Sequence, residues 1–119
     1  MITLKEQVCG ALSGACARVI YGRPAAMRAL PALCWRESQN RRHAQADGAE
    51  YLAELNYTLD IFAQSPAEAG GIAAKADERM RGAGFRRESA ADFFESDAQI
   101  CRVSLRYRAL ADTAGNVYQ

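Results

Sequence analysis

The chain has no apolar run approaching the ~20 residues that span a bilayer as a helix, so no transmembrane helix is expected. It has no basic excess either, with 15 lysines and arginines against 14 acids and a net charge of +1. Dedicated nucleic-acid binders draw much of their affinity from neutralised phosphates and usually show that excess, so only a local patch could serve this purpose. Histidine occurs once, as His43, and the four cysteines (Cys9, Cys16, Cys34 and Cys101) contain no C-x-x-C pair. Structural zinc takes four ligands, usually in closely spaced pairs, so no metal site is expected and the thiols read as small buried hydrophobes. Neither Gly82-Ala83-Gly84 nor Gly70-Gly71 follows a strand and opens a helix at phosphate-loop spacing, which leaves nucleotide binding without support. Gly70-Gly71 falls inside a helical stretch, where close packing on a sheet explains it. No cofactor is implied, and internal repeats and low-complexity segments are missing.

What remains is the composition of one ordinary globular domain. Its 119 residues are 50% apolar and 24% charged, enough to bury roughly 65% of the unfolded surface in a single core. The opening Met1-Ile2-Thr3-Leu4-Lys5-Glu6 carries an early acid and starts an amphipathic pattern, unlike a signal peptide. A reducing cytoplasm with free thiols is the matching expectation.

The periodicities divide the chain into six elements. Thr3 and Glu6 have capping-box spacing, and Leu4, Val8, Leu12, Ala15 and Val19 recur at helical spacing. A first helix is predicted from Thr3 to Arg18, with Cys9 and Cys16 on one face. Gly10 and Gly14 weaken it by ~1 kcal/mol each relative to alanine, and their spacing would let a neighbouring backbone approach. Tyr21-Gly22-Arg23-Pro24 breaks the pattern, so residues 20–31 read as loop with a short turn at Ala25–Leu30. Leu33–Ser38 forms a first strand, and the polar stretch Gln39–Gly48 reads as a connection longer than the usual hairpin loop. Tyr51–Phe62 alternates cleanly, with Tyr51, Ala53, Leu55, Tyr57, Leu59 and Ile61 on one face and Glu54, Asn56, Thr58 and Asp60 on the other. Ser65-Pro66-Ala67-Glu68 supplies an N-cap, a proline at the first helical position and a capping-box acid. A second helix follows to about Ala83, with Ile72, Ala76, Met80 and Ala83 as its apolar stripe. Gly84 is its left-handed stop, and Phe85 folds back on the last turn. A third strand covers Phe85–Ser89, Ala91–Asp97 is an irregular link, and a fourth strand runs from Ala98 to Leu110. Its core face holds Cys101, Val103, Leu105, Tyr107 and Ala109. The prediction is an α+β fold in the order α-β-β-α-β-β, an antiparallel or mixed four-stranded sheet with two helices packed on one face. Residues 1–110 form the domain and 111–119 a flexible tail.

No catalytic constellation is legible. His43, flanked by Arg41 and Arg42 in a polar segment, would need a nucleophile and an orienting acid around it. Cys34 and Cys101 are conceivable nucleophiles that sequence cannot place beside it. The segment otherwise reads as a solvated loop or a basic contact surface for a partner or DNA. The outward charges are more specific, with Glu54 and Asp60 on one strand and Arg102, Arg106 and Arg108 on the other. If these strands pair, opposite charges meet at ~0.2–1 kcal/mol each. Three readings are open: a solvated sheet face, a face that meets a neighbouring subunit, where arginine is favoured, and a phosphate-facing surface, against which the nearby acids speak. A small α+β domain with a ligand pocket lined by Trp35, Tyr57 and Tyr107 is the competing class.

Three runs carry a family resemblance: Tyr57-Thr58-Leu59-Asp60-Ile61-Phe62-Ala63, Ser65-Pro66-Ala67-Glu68-Ala69 and Arg81-Gly82-Ala83-Gly84-Phe85-Arg86-Arg87. With Asp92-Phe93-Phe94-Glu95 and Val103-Ser104-Leu105-Arg106-Tyr107, they resemble the tail terminator or tail completion (head–tail joining) proteins of long-tailed bacteriophages and prophages. The likeness covers about residues 50–110 in motif and the first 50 in layout, and Arg41-Arg42-His43 maps onto no family motif. The resemblance implies a non-enzymatic subunit of a ring, commonly hexameric, that caps the tail tube and meets the head connector. Its partners would be copies of itself, the tail-tube protein and the connector protein, with nucleic acid only as DNA passing through the ring. It would be found in the host cytoplasm during assembly and in the neck of the virion. Arg41, Arg42, His43, Glu54, Asp60, Arg102, Arg106 and Arg108 are the candidate subunit and partner contacts.

Overall fold

A computed structural model describes residues 1–23, 30–46, 49–96 and 99–118. The order is α1 (Lys5–Leu12), β1 (Val19–Tyr21), β2 (Ala32–Ala46), β3 (Ala49–Ala63), α2 (Pro66–Gly82), β4 (Arg86–Glu95), β5 (Ile100–Asp112) and β6 (Val117–Tyr118). The strands form one mixed sheet in the order β1-β2-β3-β5-β4, with β6 also pairing with β5. β1 runs parallel to β2 and every other pairing is antiparallel. The α+β class therefore holds, with six strands instead of four.

The core forms where the period-2 faces of β3 and β5 meet the helices. Tyr57 lies opposite Tyr107, Leu59 opposite Leu105 and Ile61 opposite Val103, and all six side chains are buried in one cluster with Leu4, Val8, Leu12 and Met80. Tyr51, at the end of the same alternation, is 45% exposed because its row lies past the last β5 partner.

α2 begins as its sequence dictates. Ser65 accepts from the Glu68 amide at 3.1 Å, and Glu68 Oε1 accepts from the Gln64 amide. It ends at Gly84, whose φ of +97° needs no Cβ, with the Phe85 amide donating to Met80 and the Gly84 amide to Arg81. This paired closure satisfies the Met80 and Arg81 carbonyls in the last turn. The buried stripe is Ala69, Ala73, Ala76, Asp77 and Met80, so Ile72 and Ala83 flank it instead of lying in it. Gly70 and Gly71 have nothing within 4 Å of a Cβ position, so close packing does not explain them.

Four other expectations are corrected. α1 stops at Leu12, six residues before the predicted end, and Cys16 lies outside it. The chain turns through Gly14 at φ +78°, a left-handed position within the predicted helix. The Thr3–Glu6 capping box does not form: Leu4 is the N-cap, and the Thr3 hydroxyl donates to Glu37 Oε1 at 2.7 Å. Glu37 also accepts from the Tyr57 hydroxyl at 2.8 Å, and that hydroxyl accepts from the Leu4 amide at 3.0 Å. This long-range hub captures the chain before α1 and outcompetes the local cap.

Residues 39–46, expected as loop, continue β2 and pair with β3 as far as Ala46 opposite Ala49. This hairpin has no β1 partner beyond Trp35, and only its last rows, from Gln45 outward, run past the end of β5, so residues 39–46 form an edge that needs no apolar period. It gives the molecule its length, 53 Å against 24 and 21 Å. Ala91–Glu95, expected as an irregular link, is likewise regular strand. β4 is an edge strand exposed over all ten residues, so it lacks a burial pattern to read. The expected turn at Ala25–Leu30 lies almost wholly outside the described residues. The segment 111–119, expected as a flexible tail, contains the end of β5 and all of β6, joined by a turn in which Asp112 accepts from the Ala114 and Asn116 amides.

A charged open sheet face

Both helices cover one face of the sheet, and the other stays open. Alternation places the partners of the core residues on it: Glu54, Asn56, Thr58 and Asp60 of β3, and Arg102, Ser104, Arg106 and Arg108 of β5. The predicted acidic and arginine-bearing strands do pair, and the pairing extends to β2. Glu54 is held between two strands, since Arg108 Nε donates to Oε1 at 2.6 Å and Arg41 Nη2 donates to Oε2. Asp60 repeats the arrangement, with Arg102 Nη1 at 3.3 Å on Oδ1 and Arg36 Nη1 at 3.4 Å on Oδ2. Each central carboxylate thus carries one arginine from either neighbouring strand, which leaves each cluster with one excess positive charge. The Arg108 and Arg41 hydrogen bonds hold the Glu54 carboxyl down at about 2, because donors fixed on both oxygens favour the charged form.

Between the clusters lies Arg106, level with buried Thr58 and exposed. No ion pair is formed by Arg106 among the described residues. It borders a polar recess of about 470 Å³ with Arg36, Ser38, Asn56 and Glu88, where Asn56 Nδ2 donates to Glu88 at 3.1 Å. A second recess of about 360 Å³ opens near Asp60 and Arg102 and is bordered by Arg23 and Glu95. The Arg102 guanidinium lies 4.1 Å from the Phe93 ring centroid, a stacking geometry that arginine favours.

The candidate contacts therefore divide. Arg41, Glu54, Asp60, Arg102 and Arg108 assemble into the two clusters, and Arg106 stands between them. Arg42, opposite Ala53, and His43, in a bulge of β2, lie on the projecting hairpin outside both clusters. Arg36 was missed, although its place one residue after Trp35 in an alternating strand marks it as outward. On the helix side, Asp77 was missed as well. It is 7% exposed and accepts from Tyr107 Oη at 2.7 Å and Arg87 Nη1 at 2.9 Å, with Arg81 Nε 3.1 Å away. Burial first, and then this acid, pushes the Tyr107 hydroxyl far up. An acid within the Ala73-Ala76-Met80 stripe was the available signal.

The arrangement does not assemble a thiol site. His43 and Cys34 lie on the same strand nine residues apart, ~30 Å at strand rise, and burial pushes the Cys34 thiol up. All four cysteines are free. Trp35, Tyr57 and Tyr107 are packed in the core, and among the described residues they line none of the recesses beside Asp60, Arg106 or Phe93. Among the described residues no cluster of histidine, cysteine and acid could hold a metal ion, and no helix is long and apolar enough to cross a membrane.

No curated protein matches the chain. Among solved structures, a chain from the virion of a native gene transfer agent particle shares the fold, with a TM-score of 0.64 over 88% of each chain at 16% identity. The family of tail completion protein gp17 matches residues 4–112, which include both helices, both arginine–carboxylate clusters and the whole length of β5. The chain belongs to this tail completion family and is a structural protein of the phage tail.

Proposed function

We propose that the chain is a tail terminator subunit that closes into a ring at the head–tail junction, caps the tail tube there and presents a surface to the head connector. The observation that carries this reading is the open sheet face. Its two clusters neutralise their carboxylates internally and hold four arginines in place, with Arg106 between them, while among the described residues its flanking strands end in unpaired edges. A sheet with open edges is an assembly hazard unless those edges are used, and heterologous contacts that close give rings instead of fibres. Arg106, with the Arg42–His43 end of the projecting hairpin, supplies the contacts to tube or connector. DNA would pass through the ring without being read in sequence. The subunit would be made in the host cytoplasm and end in the virion neck.

The test uses phage tails. Purified protein should bind one end of isolated tail tubes, seen by negative-stain microscopy, and a phage lacking the gene should make tubes of uncontrolled length that fail to join heads. Binding along the tube wall, or tails of normal length on heads without the gene, refutes the proposal. No specific observation favours the competing small-ligand reading.

A further inference from the structure

The edges of the sheet carry complementary chemistry that the open face does not explain. At one edge, β4 has no strand on its outer side among the described residues, over its ten positions, and exposes Phe93 by 44% and Phe94 by 65%. Acids mark this strand, with Glu88 near its start and Asp92 and Glu95 around the two rings. An apolar recess of about 310 Å³ opens beside it, floored by Pro66, Ala69 and Gly70 at the start of α2. At the opposite edge, β1 pairs among the described residues with β2 alone and exposes Tyr21 by 50%, between exposed Arg18 and Arg23. Among the described residues, none of these five charged side chains has an ion-pair partner.

We propose that β4 of one copy pairs antiparallel with the β1 edge of the next, the basic Arg18–Arg23 segment lying against the acidic, aromatic edge of β4. This deepens the ring reading and rests on it. Strand direction is right: β1 runs with β2 and β5, and β4 runs against them, so copies continued in one orientation meet antiparallel. Level is also right. Following the partners across the sheet, Val19 shares a row with Leu33, Ile61, Val103 and Asp92, and Tyr21 shares one with Trp35, Leu59, Leu105 and Ala90. Copies set level around a ring with their strands along its axis continue row into row. Tyr21 of one copy then meets Ala90 of the next, Arg23 meets Glu88, and Arg18 lies diagonal to Glu95, within reach of a long side chain. The β4 edge gains backbone partners, and the apolar recess is covered from the side of the added strand.

The test is a disulfide trap in the full chain, with Cys9→Ser and Cys16→Ser removing the two accessible thiols and Ala90→Cys and Tyr21→Cys placed on the proposed row. Oxidation should give a ladder of covalent dimers, trimers and higher species, because a head-to-tail contact propagates. Arg18→Glu with Arg23→Glu should cut the ladder by about tenfold, and adding Glu88→Arg with Glu95→Arg in the same chain should restore it. Circular dichroism and thermal melts confirm that each variant is folded. A dimer alone, or a ladder indifferent to charge reversal, overturns the edge pairing. If light scattering shows oligomers while the cysteine pair stays reduced, the edge pairing fails and the ring reading stands. If neither readout shows any association, alone or on tube ends, both fail.

Discussion

Glu54→Gln offers a direct test of the clusters on the open face. Its carboxylate accepts from Arg108 and Arg41 together, and the two bonds draw its pKa from 4.5 to about 2. This shift corresponds to about 3 kcal/mol of native-state preference for the charged form. The Glu54 side chain is 13% exposed, but Arg41 is 63% and Arg108 26% exposed, so solvent screens much of the attraction. Glutamine keeps the shape and an acceptor while losing the charge, and a loss of about 1–2 kcal/mol is expected at pH 7. The sign of the pH dependence follows from the direction of the shift. A lowered folded-state pKa contributes stability that is fully present above the unfolded value near 4.5 and is lost as pH falls toward about 2. Urea denaturation of both proteins at pH 7, 5, 3.5 and 2.5 should show a constant gap at the first two values and a shrinking one below. Equal stability at pH 7, or a gap that persists undiminished at pH 2.5, would refute the reasoning.

Three further outcomes follow from the rest of the fold. Asp77→Ala should cost about 2–4 kcal/mol in urea denaturation, because it strands the Tyr107 hydroxyl and two arginines beside the core; adding Tyr107→Phe should recover part of that loss, and strict additivity would show that the pair is uncoupled. Tyr57→Phe should lower stability by ~1–2 kcal/mol and speed amide exchange at Leu4, whose N–H donates to that hydroxyl at 3.0 Å. Asp112→Asn should reduce amide-exchange protection at Asn116 and Val117 while leaving Leu105 protected, since Asp112 gathers Ala114, Asn116 and Tyr118 onto one carboxylate. Exchange at Asn116 that is already unprotected in the parent protein would mean that the last segment is a free tail.

Legibility followed burial. β3, β5 and α2 could be read because each has one face against the core, and burial writes a period of 2 or 3.6 into the residues that face it. The caps of α2 were readable because Ser65, Pro66 and Gly84 act through their own backbone neighbours. The same rule explains the failures. The outer half of β2 and all of β4 bury neither face, so their residues are free of any period, and an edge or a projecting arm looks like loop. The dipeptide Asp47-Gly48, a common two-residue hairpin connection, was the one local sign that Gln39–Ala46 pairs with the strand after it. α1 was over-read for the opposite reason, because its apolar spacing continued past the point where Gly14 turns the chain.

The sequence by itself determined the α+β class, the core faces, the second helix with its caps and the two families of outward charge, since each depends on neighbours a few positions away. It also carried the family likeness, whose motifs lie in those same segments. Tertiary structure alone decided that Glu54 and Asp60 each receive an arginine from two different strands, that Arg106 is left between them, that Glu37 holds the chain entering α1, and that Asp77 ties α2 to Tyr107 of β5 and Arg87 of β4. Those contacts join residues 10 to 54 positions apart, and only the register of the sheet, set by packing over the whole core, brings them within hydrogen-bonding distance.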